Sequence, residues 1–400
     1  MIATKLRAAL RSRLLVVPAG FVAGAILLSV AVSVVDVRTG FGRILFPGDA
    51  QSARTLLGTV ATGTVTLMGL VFSVTMLVIQ LTSSQYSPRV LGTFLRDRNA
   101  HFTLGVFAGT FAFSLASLRA VTGDQVPETA VSLAVLFAFV TLATFVQYIN
   151  HVARKIRVNS VIESVANDAA VSIETFLERA RVEQHQSPPP RATPAQVASS
   201  VSGFVVAVDH VGLVALAEET DSFVDVVVAP GDFVRNGRHV MTVMAADASD
   251  GGRFLRHLDV DAERDVGQDP LYGLRQLVDI AQRALSPSMN DPTTAAQVVG
   301  FLHDLLARLA PHSFPRGVIC DDDGTARVRV VTPTWDDVVR TAVDELIPMA
   351  DDQLQVLAAL HRMLSDLRDT ARPERAEGIE QRRAAVARRI DSFERRLLAP

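Results

Sequence analysis

The stretch LLGTVATGTVTLMGLVFSVTMLVIQL, residues 56–81, contains no charged side chain. As an α-helix it is long enough to cross the hydrocarbon core of a bilayer, which is roughly 30 Å thick. A helix buried in a soluble protein rarely stays uncharged over this length. The stretch therefore predicts a membrane-spanning helix, and the Thr, Gly and Ser residues along it need a separate explanation.

Three more segments of the N-terminal part are similarly apolar. Together the four segments lie at residues 14–35, 56–81, 102–118 and 126–149. The third is only just long enough to span a bilayer. The first follows basic residues, as the core of a signal peptide does, but it is longer than such a core and no clear small-residue cleavage site follows it. We therefore expect four retained spans in a transmembrane domain at residues 1–157.

The basic residues in the loops between these spans predict the orientation. One side would carry Lys5, Arg7, Arg11, Arg13, Arg89, Arg96, Arg98, Arg154, Lys155 and Arg157. The other side would carry only Arg38, Arg43, Arg54 and Arg119. Because short cytoplasmic loops hold the excess of Lys and Arg, the N-terminus is predicted to be cytoplasmic. With an even number of spans in the cell inner (plasma) membrane, the C-terminus is predicted to be cytoplasmic too.

Small and polar residues of the second span recur at helical spacing. These residues are Thr59, Thr62, Thr66, Gly69, Ser73 and Gln80, which we call the hydroxyl stripe. Spacings of three, four and seven residues place them on one helix face. One interpretation is tight packing between helices. The other is that in a homo-oligomer the stripe lines a water-filled path, since hydroxyl groups replace part of the hydration shell of an ion.

Two further features of the spans bear on packing and transport. Gly20 and Gly24 in the first span, and Gly105 and Gly109 in the third, have the G-x-x-x-G spacing that allows helix backbones to approach closely. No Asp, Glu, Lys or Arg lies near the middle of any span. Proton-coupled pumps and most secondary transporters need such a group or a broken helix at the midplane, so the sequence disfavours an active transporter.

The remainder of the chain predicts a cytoplasmic region. Residues 158–186 have the spacing of an amphipathic helix, and the proline cluster that follows, residues 187–194, is typical of a stiff linker. Short β-rich runs then predict a small β module at residues 195–250. Its segment APGDFVRNGRHV, residues 229–240, resembles the barrel-sandwich hybrid of biotinyl and lipoyl carriers. Carriers need a modifiable lysine, and this segment has none, so the module is expected to be structural.

Residues 251–400 predict a helical α+β domain with a distinctive corner. The segment SPSMNDP, residues 286–292, ends one amphipathic helix and starts another, with Asp291 as N-cap and Pro292 in the first turn. The polar residues Ser286, Ser288 and Asn290, with Asp291, are a candidate site for an ion or phosphate at the helix N-terminus. A plain helix cap and turn explains the same residues.

Three segments carry a resemblance to a known family. They are GLVFSVTMLVIQLTSSQYSPRVL at residues 69–91, PGDFVRNG at 230–237 and DIAQRALSPSMNDPTTA at 279–295. In these the sequence resembles the DUF2254 family of predicted bacterial membrane proteins. The resemblance implies an integral inner-membrane protein with four N-terminal helices, and it supplies no catalytic residues. The expected fold is an α+β membrane protein: four transmembrane helices, then a cytoplasmic domain with a small barrel-sandwich-like β module and helical hairpins.

Composition and motifs restrict the function. A formal net charge of -3 argues against a nucleic-acid partner, and the single cysteine, Cys320, excludes an intramolecular disulfide. No metal-ligand spacing, P-loop or nucleophile motif is present, so we expect no enzyme activity, metal or cofactor. The first hypothesis is a homo-oligomeric passive channel for ions or small solutes that the cytoplasmic domain regulates. The alternative is a membrane-anchored scaffold or sensor that binds a cytoplasmic partner or ligand and transports nothing.

Overall fold

The structure, a computed structural model, describes residues 13–39, 48–85, 98–122, 126–155, 158–182, 193–245 and 251–398. The chain divides into two compact units, Met1–Ser160 and Val161–Pro400. Half of the basic residues that predict the orientation lie outside the described residues, and so does nearly all of the predicted proline linker.

The N-terminal unit contains the four predicted helices. They are α1 (Arg13–Thr39), α2 (Ala50–Gln85), α3 (Arg98–Ala120) and α4 (Glu128–Lys155). Their membrane-compatible parts are Val16–Val34, Ala50–Gln80, Asn99–Ala120 and Glu128–Arg154. The four-span prediction is confirmed. The third segment, which the sequence makes only just long enough, is 22 residues long in the structure.

The core of this bundle is built from small and aromatic side chains. Ala53 and Leu57 of α2, Phe113 of α3 and Val131 of α4 are buried together. Phe113 meets Phe137 edge to face, with ring centroids 5.0 Å apart. By contrast, most of α1 stays exposed. Within Val16–Val34 only Ala25 and Ser29 are buried. α1 therefore meets the bundle along a narrow line, whereas many side chains of α3 are buried.

Pairs of hydroxyl groups join the helices across the bundle. The pairs are Ser29 with Ser117 (Oγ to Oγ, 2.8 Å), Thr110 with Thr141 (Oγ1 to Oγ1, 3.0 Å) and Thr75 with Tyr148. They connect α1 with α3, α3 with α4, and α2 with α4. Such bonds between membrane helices contribute about 0.6 kcal/mol each on average. They fix which faces of the helices meet, since lipid tails and apolar side chains do not discriminate strongly between faces.

The G-x-x-x-G prediction holds for α3 alone. A Cβ at Gly105 would lie 2.7 Å from Cδ2 of Phe21, and one at Gly109 would lie 3.4 Å from the carbonyl oxygen of Phe21. Phe21 of α1 therefore packs against these two glycines of α3. No atom lies within 4 Å of a Cβ built at Gly20 or Gly24, so the glycines of α1 are not a close-contact surface within the described residues.

The C-terminal unit combines helices with two small sheets. Its strands are β1 (Thr193–Ala198), β2 (Gly203–Val208), β3 (Phe223–Val226), β4 (Phe233–Val234), β5 (His239–Ala245), β6 (Leu258–Asp261), β7 (Val318–Cys320) and β8 (Ala326–Val330). A five-stranded sheet has the order β1-β5-β3-β8-β7, and a three-stranded sheet has the order β4-β2-β6. Among the described strands, β3 and β8 are the only pair that is parallel. The sheets thus include three strands that lie beyond residue 250, the predicted end of the β module.

Helices make up most of the rest of the described part of the C-terminal unit. They are α5 (Val158–Val182), α6 (His210–Glu219), α7 (Gly251–Leu255), α8 (Pro270–Ala284), α9 (Pro292–Leu309), α10 (Trp335–Val339), α11 (Leu346–Met349), α12 (Leu354–Thr370) and α13 (Ala376–Leu397). A π-helical turn, Arg340–Asp344, lies between α10 and α11. The predicted helical hairpin is present as α8 and α9, which bury Leu277 and Leu302 among other apolar side chains. The expected α+β class with helical hairpins is confirmed.

Valine and other branched residues form the core of the sheets. Val224 and Val226 of β3, Met241 of β5 and Val328 of β8 are buried, and Leu213 of α6 packs against the same core. In β3, Phe223, Val224 and Val226 are buried and only Asp225 is partly exposed, because the strand is central in its sheet. This rigid layer positions the loops that leave the ends of β2, β3 and β8.

Candidate functional site

Every residue of the hydroxyl stripe is exposed on the outer face of α2. The residues are Thr59, Thr62, Thr66, Gly69, Ser73 and Gln80. The face of α2 that packs in the bundle is a different one, and it includes Leu57, Thr64 and Val71. Within the described residues, the stripe therefore does not pack against the other helices of its own chain.

Three hydroxyl groups of the stripe bond to the backbone of their own helix. Thr59 donates to the carbonyl oxygen of Thr55 at 2.7 Å, and Thr66 to that of Thr62 at 3.0 Å. Ser73 donates to the carbonyl oxygen of Gly69 at 2.9 Å. Because these three donors are satisfied by the helix itself, their part of the stripe is compatible with lipid, with a second subunit and with water.

The four residues of the helix corner lie together between α8 and α9. Oδ1 of Asp291 accepts from the backbone N–H of Thr294 at 3.0 Å, and Oδ2 accepts from the Thr294 hydroxyl at 2.6 Å. These bonds, the side-chain bond first, lower the pKa of Asp291. Asp291 is thus the N-cap that the sequence predicts.

The other corner residues are also engaged by the protein itself. Ser286 donates to the carbonyl oxygen of Arg283 at 2.6 Å, and its Oγ lies 3.1 Å from that of Ser288. Asn290 has a positive φ of 44°, and its Oδ1 accepts from Nε2 of Gln353 at 2.9 Å. These contacts favour the cap-and-turn interpretation. An anion or ion at the corner stays a prediction.

The C-terminal unit contains a cavity of about 880 Å³ that the sequence did not reveal. Its wall is assembled from α5, the β2 to α6 connection, the loops after β3 and before α8, and the segments that flank β7 and β8. Val208 and Val228 are buried in the wall, and Pro230, Leu271 and Ile319 add apolar surface. No single segment carries enough of the wall to form a recognisable motif, which is why sequence patterns missed it.

Asp269 is a buried carboxylate of the cavity wall. Its side chain is 4% exposed and caps α8 by accepting from the N–H groups of Leu271 and Tyr272, both at 3.1 Å. Arg264 pairs with the same carboxylate and lies over the Tyr272 ring, 4.8 Å from its centroid. Burial raises the pKa of Asp269, and Arg264 and the two N–H donors oppose that shift.

The turn of the PGDFVRNG segment packs on this buried pair. Gly231 has φ +95°, and a Cβ at this residue would lie under 3.0 Å from both Asp269 Oδ2 and Arg264 Nη2. The side-chain amide of Gln268, beside Asp269, bonds the loop before α8 to the end of β2. Its Oε1 accepts from Val208 N at 3.0 Å, and its Nε2 donates to Val208 O at 3.3 Å. The turn and the start of α8 therefore form one rigid corner of the cavity.

The polar part of the wall is acidic. Glu178, Asp269, Asp321, Asp322 and Asp337 contribute to it, and no Lys or Arg side chain does so among the described residues. In the same part of the chain no group of His, Cys, Asp and Glu has the arrangement of a metal site. A concave, mainly apolar cavity with a few convergent polar groups is the usual form of a small-molecule site, and its volume lies within the usual range.

Comparisons with known proteins place the chain in a family. The family model described as "Predicted membrane protein (DUF2254)" matches residues 11–366. The chain is similar to the uncharacterized protein Rv1290c of Mycobacterium tuberculosis and to the uncharacterized protein Mb1321c of Mycobacterium bovis. Each is 31% identical over 376 residues, which cover 89% of this chain and 72% of the relative. No solved structure matches the chain. The predicted resemblance is confirmed: the chain belongs to the DUF2254 family of predicted membrane proteins.

Proposed function

We propose that this membrane protein is a sensor that binds an organic small molecule in the cavity of its C-terminal unit and transports nothing. The cavity of about 880 Å³ is the observation that carries the proposal. A ligand that fills a mainly apolar cavity of this size contacts many wall residues and removes apolar surface from water. The positive charge in the predicted inner loops supports a cytoplasmic location of this unit in an inner-membrane protein.

The single cysteine of the chain gives a direct test, since Cys320 lines the cavity. The full-length protein in phosphatidylcholine nanodiscs is alkylated with N-ethylmaleimide while a neutral apolar probe, N-phenyl-1-naphthylamine, is titrated. Saturable slowing of the alkylation of Cys320 supports the proposal. An alkylation rate that no concentration of the probe changes contradicts it.

A matched pair of variants separates the cavity from unspecific effects. Val331 lines the cavity and is 47% exposed, and Val201 is 50% exposed but lies outside the cavity wall. Val331→Trp is expected to fill the entrance and to abolish protection by the probe. Val201→Trp is expected to leave it unchanged. Equal effects of the two substitutions would show that the probe acts elsewhere.

The second candidate is a homo-oligomer in which α2 helices meet along the hydroxyl stripe and form a passive path for ions or small solutes. The exposure of all six stripe residues favours it, because a face left unused by one chain is available to a second copy. The test combines the mass of the purified protein in detergent with currents in planar bilayers.

Substitutions in the stripe make this second test specific. Thr66→Leu and Ser73→Leu are expected to change the currents. Thr144→Leu is the control, since Thr144 on α4 makes the same kind of bond, to Val140 O at 2.7 Å, outside the stripe. A monomeric mass together with silence across salts and voltages would rule out the path.

A further inference from the structure

We infer that the cavity accepts a hydrophobic organic cation, a molecule with an apolar body and one cationic group. The inference rests on the proposed function, since it names the class of ligand for the same cavity. It comes from the distribution of charge around an apolar wall. The acidic side chains and the apolar side chains line the same cavity.

Three of the acidic groups in the wall are already compensated from outside it. Arg264 pairs with Asp269, Arg327 pairs with Asp321, and Arg340 pairs with Asp337. None of these arginines contributes to the wall itself. The arginines therefore compensate the charge of these three carboxylates without offering a positive surface to a ligand.

The other two acidic groups, Glu178 and Asp322, remain as the net charge of the wall. Both are exposed, and the structure shows no ion pair for either among the described residues. Glu178 lies on α5 and Asp322 lies in the turn between β7 and β8, so the negative charge comes from two separate elements. Repulsion between like charges weakens the binding of an anion. Each exposed carboxylate is expected to raise the affinity for a cation about two- to fivefold.

The apolar part of the wall requires that the cation be hydrophobic. Val208, Leu271, Val318, Ile319 and Val330 surround the space between the acidic groups. Val211, 82% exposed, and Val331, 47% exposed, add apolar surface at its rim. A small hydrated metal ion or a simple amine would leave this surface in water, whereas an apolar body covers it and gains the hydrophobic contribution.

Two ions of nearly the same shape and opposite charge test the inference. Tetraphenylphosphonium and tetraphenylborate are titrated separately against the full-length protein in phosphatidylcholine nanodiscs, and free concentrations are measured by equilibrium dialysis. The measured quantity is the free concentration that halves the alkylation rate of Cys320. Because His210 also lines the cavity, the titrations are done at about pH 8, where imidazole in water is neutral. The phosphonium ion is expected to protect at a concentration at least about tenfold lower than the borate ion.

Variants assign the preference to the two acidic groups. The double variant Glu178→Gln, Asp322→Asn is expected to reduce the phosphonium preference by about fourfold or more. Its control is Glu174→Gln, Asp323→Asn, because Glu174 lies on the same helix and Asp323 in the same turn but neither lines the cavity. For each protein the protecting concentrations of the two ions are compared with each other, so a change in the basal reactivity of Cys320 cancels.

The outcomes separate the inference from the proposed function. Preference for the phosphonium ion that falls in the first double variant alone supports the inference. Equal or stronger protection by the borate ion overturns it and leaves the cavity as a binding site. The inference is also overturned if the neutral naphthylamine protects Cys320 and neither ion does. It is overturned as well if both double variants keep the preference for the phosphonium ion. If none of the three compounds protects Cys320, the proposed function fails together with it.

Discussion

The backbone of Gly231 lies against the carboxylate of Asp269, so closely that a Cβ at residue 231 would come within 3.0 Å of Oδ2. Gly231 also has φ +95°, in the region that favours glycine. This contact joins the turn after β3 to the capped start of α8. The turn belongs to one of the segments in which the sequence resembles its family, and it touches the start of α8 at the wall of the cavity.

Gly231→Ala is expected to lower the free energy of unfolding of the C-terminal unit by about 3 kcal/mol. The left-handed backbone costs about 1 kcal/mol, and displacement of the buried Asp269–Arg264 pair accounts for the rest. Gly237→Ala is the matched control, since Gly237 has φ +79° and no atom within 4 Å of the added Cβ. Its expected cost is about 1 kcal/mol. Denaturant unfolding of both variants measures the difference, and equal losses would contradict the packing argument.

Asp291→Ala is expected to cost about 1 kcal/mol at neutral pH, because the N-cap of α9 is lost. Asp291→Asn should retain most of that stability, since Asn is an equally good N-cap. The comparison with Asn also isolates the charge. The folded pKa of Asp291 is lowered, so the contribution of its charge is present above the ordinary value of 3.8 and is lost as the pH falls below it.

Thermal unfolding of wild type and the Asn variant between about pH 7 and pH 3 measures this contribution. The small advantage of the wild type is expected to shrink toward acid. An advantage that grows as the pH falls would show that the carboxylate is not stabilised in its charged form.

Arg375→Met is expected to destabilise the C-terminal unit by about 3 kcal/mol. The guanidinium lies 4.6 Å from the ring centroids of both Phe314 and Trp335. It donates to the carbonyl oxygens of Leu309, Ala310 and His312 at 2.8 to 2.9 Å, which satisfies the end of α9. Met retains much of the volume and removes all the donors.

The neighbouring Arg372 provides the control for that substitution. Its side chain is 41% exposed and pairs with Glu374, which is also exposed. Arg372→Met is therefore expected to change the stability by less than about 0.5 kcal/mol. Urea unfolding followed by tryptophan fluorescence is suitable, because Trp335 is the only tryptophan of the chain and lies against Arg375. Similar midpoints for both variants would contradict the capping role of Arg375.

Gly105→Val is expected to destabilise the N-terminal bundle by about 1 to 3 kcal/mol, because the new side chain meets the ring of Phe21. Gly20→Val should have a much smaller effect, since a Cβ there meets no atom within 4 Å. Thermal unfolding in one detergent, followed by circular dichroism, compares the two. A larger loss for Gly20→Val would mean that α1 uses its glycines in a contact between copies of the chain.

Local properties of the chain could be predicted from the sequence because they depend on neighbours in the chain. The uncharged length of residues 56–81 determines a spanning helix, and the Asp291–Pro292 pair determines a helix start. The alternation of short β-rich runs with turns likewise predicts strands within residues 195–250. None of these conclusions requires knowledge of a distant residue.

The tertiary structure alone decided which faces meet. In a bilayer, lipid and protein interior are both apolar, so hydropathy does not tell the inner face of α2 from its outer face, and the hydroxyl stripe lies outward while Thr75 meets Tyr148. The cavity depends on distance in space in the same way. Glu178 of α5 and Asp322 of the turn after β7 are far apart in the chain and line one cavity only in the folded structure. Sequence periodicity describes one element at a time, and a site made of several elements exists only once they pack.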